Sequence, residues 1–218
     1  MFKKNAFLAS GLGAAILLAA CSAAAPPEEE ASPGFGSQSQ TLPPPGYGTL
    51  RQDDFTVALQ AGDTQVKVTP LDESVIRLAA PDTYQRLHGL VASRRERILD
   101  AARRAGLRGE PSVFLVSFFT RAQQATYEPT NVQLLSKSIL YRPAGILPLT
   151  PEWGRQQVKQ EETQSALYVF DGAVDLDVTF EVEYQGSRSL AWAGIIRKLQ
   201  AERARVMSRT EGVGRSKA

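Results

Sequence analysis

Val174-Asp175-Leu176-Asp177-Val178-Thr179-Phe180-Glu181-Val182-Glu183-Tyr184 alternates apolar and polar residues without a break. In an extended chain, successive side chains point to opposite faces. Val174, Leu176, Val178, Phe180, Val182 and Tyr184 would therefore share one face, with Asp175, Asp177, Thr179, Glu181 and Glu183 on the other. The pattern predicts a strand over 174–184 in an antiparallel sheet that buries one side and wets the other. Such a strand needs neighbours, and the flanking sequence offers them. Upstream, Ala166–Phe170 reads as a short strand, and Val132–Tyr141 as another, stopped by Arg142-Pro143. Val113–Phe119 is a continuous apolar run, suited to a strand covered on both faces. Further back, Phe55, Val57 and Leu59 alternate with polar residues, and the alternation resumes at Val66 and Val68 beyond Gly62-Asp63, which predicts a hairpin. Val75, Ile76 and Leu78 suggest a third short strand, ending at Pro81.

The period changes in two places. Asp82, three residues before Gln85, predicts an N-cap with a capping box. Tyr84, Leu87, Val91, Ile98 and Ala102 then fall on one stripe of a helix over 82–105. Near the end, Trp192, Ile195, Ile196, Leu199 and Val206 predict a second helix over 189–207, with Arg197, Lys198, Glu202 and Arg203 elsewhere around it. The expected fold is mainly β with α additions. It is an antiparallel β-sandwich, Ig-like or transthyretin-like, over 51–210, with an inserted helix and a C-terminal helix. Residues 211–218 read as a disordered tail.

The N-terminus has a different character. Lys3 and Lys4 precede an uncharged run from Ala6 to Ala20, too short to span a bilayer and interrupted by Gly11 and Gly13. It ends in Leu18-Ala19-Ala20-Cys21, at the chain's one cysteine. These residues resemble the lipobox of bacterial lipoproteins. The resemblance implies a signal peptide over 1–20 and an acylated Cys21 as the first mature residue. The several acyl chains of that family hold a protein far more durably than one chain does. Ser22 in place of an aspartate implies the periplasmic face of an outer membrane where the cell has one, and the cell membrane otherwise. Over 21–50, Pro26, Pro27, Glu28–Glu30, Pro43–Pro45 and several glycines leave little apolar surface, which predicts a lipid-anchored disordered linker with a reach of roughly 30 Å.

Composition narrows the chemistry. With Lys3 and Lys4 removed from 25 basic residues, 23 remain against 23 acidic ones, so nothing global favours nucleic acid as a partner. One histidine and no second cysteine make a zinc site unexpected, and no cofactor or metal is expected. His88 reads as a helix-packing or half-exposed side chain. No Gly-x-Ser-x-Gly elbow, P-loop or dinucleotide fingerprint occurs in the mature region. Ser136-Lys137-Ser138 is the one Ser-x-Lys pattern, placed inside a predicted strand. Asp175, Asp177, Glu181 and Glu183 suggest calcium if Asp171-Gly172 made a tight turn, though the wet face of a sheet accounts for them more simply.

Two features point to partners. Arg94, Arg95 and Arg97, with Arg103, Arg104 and Arg108, give the inserted helix a basic side that could meet anionic headgroups or cell-wall polymer, though solvation with local pairing to Glu96, Asp100 and Glu110 accounts for it more simply. Trp153, in the longest irregular stretch, could anchor a ligand if exposed. The resulting expectation is a membrane-anchored envelope lipoprotein with a non-catalytic binding, scaffolding or assembly role. Its partners would be the membrane, through the anchor, and another envelope protein or cell-wall polymer. The alternative is a carboxylate-based cell-wall glycan hydrolase, which requires two acids facing each other across a cleft.

Overall fold

The hairpin forms where its alternation puts it. Strand β1 (Val57–Ala61) pairs antiparallel with β2 (Thr64–Pro70) around Gly62-Asp63, and Val57, Leu59 and Ala61 are buried while Ala58 and Gln60 are exposed. Gly62 sits at φ +55°, the left-handed region a two-residue hairpin turn requires. The computed structural model describes residues 42–170 and 174–215, with side chains through 210. The signal region, Cys21, most of the predicted linker and the Asp171-Gly172 turn lie outside the described residues.

The remaining strands are β3 (Ser112–Thr120), β4 (Gln124–Thr126), β5 (Gln133–Ser136), β6 (Ile139–Tyr141), β7 (Gly145–Pro148), β8 (Gln157–Lys159), β9 (Thr163–Phe170), β10 (Phe180–Tyr184) and β11 (Ser187–Ser189). The helices are α1 (Glu73–Ile76), α2 (Pro81–Ala92), α3 (Arg95–Arg104) and α4 (Trp192–Arg215). A five-stranded sheet runs β1-β2-β3-β9-β7 and a four-stranded sheet β11-β10-β5-β6, with β4 and β8 forming a small ribbon. Every strand pairing is antiparallel.

The two larger sheets face each other as a sandwich. Phe114 on β3 meets Phe180 on β10 edge-on at 6.1 Å between ring centroids, and Phe118 meets Tyr184 at 5.6 Å. The opposite face of β3 carries Val113 and Leu115, in register with Val169 and Leu167 of β9. Over β9 and β7 that face lies under α3, whose Ile98, Ala101 and Ala102 are buried. The apolar run over 113–119 is buried on both sides from Val113 to Val116, while Ser117 and Phe119 further along the same outer face are half-exposed. The fold is a mainly antiparallel β-sandwich with helical additions, among them a C-terminal helix.

Several boundaries differ from the sequence reading, each for a local reason. Val75, Ile76 and Leu78 do not form a strand. Asp72 accepts hydrogen bonds from the Ser74 amide (2.8 Å) and hydroxyl (2.6 Å), and this N-cap winds the segment into α1. The inserted helix is two helices, broken at Ser93-Arg94. Its cap is Ala80 with Pro81 in the first turn, so Asp82 lies inside the helix and makes no capping box. The strand predicted over 132–141 is the β5–β6 hairpin, turned at Lys137 and Ser138 with φ of 50° and 64°. The strand predicted over 174–184 is regular only from Phe180. Asp175 Oδ1 accepts from the Asp177 amide (3.0 Å), which bends the chain while Val174 and Leu176 still reach the core.

The terminal helix starts at Trp192 and runs to Arg215, into the span read as a tail, while Ser187–Ser189 belongs to β11. Residues 42–50 of the predicted linker pack on the domain. Leu50 bridges in parallel to Ala79, and Gly48 lies so close to Leu78 that a Cβ there would sit 2.1 Å from its carbonyl.

Candidate functional site

The basic surface depends on how closely α3 is held. Gly145 on β7 faces the helix, and a Cβ at that position would lie 2.9 Å from the Ala101 Cβ. Small residues on both sides bring helix and sheet together, with Ile98 and Ala102 completing the seam. The helix ends in a Schellman motif. The Gly106 amide donates to Arg103 O (3.0 Å) and the Leu107 amide to Ala102 O (3.0 Å), with Gly106 at φ +74°.

The arginines divide into two groups. Arg94 caps the junction between α2 and α3, half-buried, donating to Leu90 O (3.5 Å) and Ser93 Oγ (3.0 Å). Arg95 is half-buried and engaged as well. Neither is available as the sequence suggests. Arg97 and Arg104 are exposed on one flank of α3, two turns apart, and Arg108 is exposed in the following segment. Arg103 is exposed and paired with Asp100. None of Arg97, Arg104 or Arg108 has a salt-bridge partner among the described residues.

Trp153 lies elsewhere and is not an exposed anchor. It is 7 % exposed, in a single helical turn over Pro151–Arg155, packed against Phe118 (5.7 Å), Tyr127 (5.2 Å) and Tyr168 (6.3 Å). Its carbonyl accepts from the Tyr127 hydroxyl (3.0 Å). Burial pushes the Tyr127 hydroxyl up to about 12, and burial raises Tyr168 and Tyr184 as well. Tyr168 donates to Pro129 O (2.8 Å), and the Tyr184 hydroxyl accepts from the Glu128 amide (3.0 Å). These phenols tie loops to the core.

The candidate acids are dispersed. Asp175 pairs with Lys137 (3.0 Å), whose hydrogen bond holds its carboxyl below the ordinary value. Asp177 pairs with Arg203 (3.6 Å), and Arg188 reaches Glu183 (3.0 Å) and Glu181 (3.9 Å). Each acid is matched to a base, and among the described residues no three His, Cys, Asp or Glu side chains cluster as metal ligands. Lys137 is also turned away from Ser136, whose hydroxyl is buried. Depressions of about 350 Å³ and 370 Å³ flank the Gly62-Asp63 turn, and Asp63 is the one acid lining either. They do not place two carboxylates across a cleft.

Two buried acids escape a composition-based search. Glu73 accepts from Arg77 Nε (2.6 Å) and meets His88 Nδ1 (2.7 Å), with the His88 ring stacked on Tyr84 at 5.3 Å. His88 is 43 % exposed, consistent with its reading as a half-exposed side chain. Glu202 is fully buried, on the apolar side of α4, contrary to its assignment elsewhere on that helix. The spacing Ile195, Leu199, Glu202, Val206 carries the signal, because those positions share one stripe. Glu202 accepts from the Thr49 amide (3.0 Å) and hydroxyl (2.9 Å) and pairs with Arg205 and Arg209 (3.3 Å each). Burial alone would raise its carboxyl, but these hydrogen bonds reverse the effect and hold it below the ordinary value.

Comparison with protein families, with curated proteins and with solved structures returned no match. No helix among the described residues is long and apolar enough to cross a membrane.

Proposed function

We propose that the chain is a lipid-anchored envelope protein, acylated at Cys21, whose sandwich has a non-catalytic binding, scaffolding or assembly role. The observation that carries this reading is Leu18-Ala19-Ala20-Cys21, set directly behind an uncharged run and two lysines. The ionisable groups of the domain support it. The acids are matched to bases along separate stretches, and the buried phenols hold loops in place. Groups used this way serve the fold, and the surface left over is suited to contact. Its partners are the membrane, through the anchor, and a further envelope protein or cell-wall polymer.

Mass spectrometry of the mature protein from a membrane fraction tests the reading. The expected result is an N-terminal peptide beginning at Cys21 with acyl mass on it, and release of the protein from the membrane in Cys21→Ser. A mature chain starting downstream of Cys21, without lipid, overturns it.

A further inference from the structure

Resting on the anchored reading above, we propose that α3 lies against the anionic phospholipid bilayer that holds the acyl chains, with Arg97, Arg104 and Arg108 at the headgroups. Residues 94–110 contain six arginines and three acids, Glu96, Asp100 and Glu110. The structure half-buries Arg94 and Arg95, ties Arg94 to Leu90 O and pairs Arg103 with Asp100. What remains are three exposed guanidinium groups without a carboxylate partner, on and just beyond one short helix. The negative end of the α3 dipole accounts for cations at Arg103 and Arg104, in the last turn. It accounts for neither Arg97, near the other end, nor Arg108, beyond the helix.

α3 covers the outer face of the five-stranded sheet at its β9–β7 end, while Glu181 and Glu183 lie on the outer face of the four-stranded sheet. An anionic surface attracts the exposed guanidinium groups of the first face, while on the second Glu181 and Glu183 share the single cation Arg188. The seam of Gly145 and Ala101 makes α3 a fixed platform, so its arginines need little ordering on contact. Chain length permits the contact as well. The described chain meets the domain near Pro43, whose carbonyl accepts from Arg77 (3.5 Å) a few residues before α2, and α2 itself, about 18 Å long, leads to the start of α3. The twenty residues between Cys21 and Leu42 can span at most about 70 Å, well beyond that distance.

The test uses the mature chain with Cys21→Ser, so that binding does not depend on acylation. Sedimentation with phosphatidylcholine vesicles is compared with sedimentation in the presence of added phosphatidylglycerol. The expected result is binding to the anionic vesicles alone, weakening as salt shortens the screening length. Each arginine near such a surface is worth about a fivefold change in partitioning. Arg97→Glu/Arg104→Glu/Arg108→Glu should therefore lower binding at least about a hundredfold with unchanged circular dichroism, whereas the triple lysine variant keeps it. Equal binding to both vesicles, binding untouched by the glutamate variant, or binding only to isolated cell-wall polymer overturns the proposal. Those outcomes leave acylation at Cys21, read separately by mass, unaffected.

Discussion

Glu202 shows how much of this fold rests on single polar side chains. Its carboxylate is fully buried, yet it satisfies the Thr49 amide and hydroxyl and draws Arg209 over the chain, where that arginine also donates to Tyr47 O. Removing it leaves the part-buried Thr49 amide without its partner and two guanidinium groups without their anion. Hydrogen bonds to charged groups contribute about 1.5–3 kcal/mol, so Glu202→Ala should cost about 2–3 kcal/mol in urea unfolding. The sign of the pH dependence follows from the depressed carboxyl. A group that titrates lower in the folded state stabilises above its unfolded pKa and loses that contribution as pH falls through its folded one. The difference between wild type and Glu202→Ala should thus be full at neutral pH and shrink as pH drops below the usual glutamate range. A gap that stays constant to low pH would show that the carboxylate charge is not what holds the contact.

At the level of elements, the contact of α3 with β7 is the joint on which the basic face depends. Gly145→Ala places a methyl group 2.9 Å from the Ala101 Cβ, so helix and strand must separate. Overpacking of this kind costs about 1–3 kcal/mol. Ala101→Gly alone costs about 1 kcal/mol through helix propensity. The double variant should be more stable than the sum of the two losses predicts, because the second change restores the room the first consumes. A double-mutant cycle by chemical denaturation measures this, and simple additivity would place the strain elsewhere.

The same scale explains what was legible. The hairpin around Gly62-Asp63, the part of β3 buried on both sides and the stripe of Leu87, Val91, Ile98 and Ala102 were readable because burial imposes a period of two, a continuous run or 3.6. The rest was decided by short-range hydrogen bonds that leave no period. Asp72 wound a β-branched run into α1, and Asp175 bent the front half of the best-looking strand. Lys137-Ser138 turns with neither glycine nor asparagine, so the sequence offered no turn signal. Of the candidate site, the basic character of the inserted helix was visible. Which arginines stand free was not, because Arg94 is taken up at a helix break that no residue pattern announced and Arg95 is half-buried beside it.

Across the whole molecule, the two ends of the described chain hold each other. Thr49 and Glu202 are 153 residues apart in sequence, and Leu50 lies beside Ala79 while Arg209 caps Tyr47. Composition sets the start of the domain at residue 51, since the prolines and glycines before it resemble those of the linker. The packing sets it near 42, because Gly48 fits against the Leu78 backbone where any side chain would collide. The two boundaries differ in a measurable way. A chain beginning at residue 42 retains every partner of Glu202, whereas one beginning at 51 keeps its arginines and loses Thr49. It also leaves the Leu78 carbonyl without the Leu50 amide that donates to it at 3.1 Å. Losing hydrogen bonds to a buried charged group costs about 1.5–3 kcal/mol. The shorter chain should therefore unfold at markedly lower urea, and the variant Glu202→Ala should cost it less than it costs the longer one. Equal stability of the two chains would return the boundary to 51 and make residues 42–50 part of the linker.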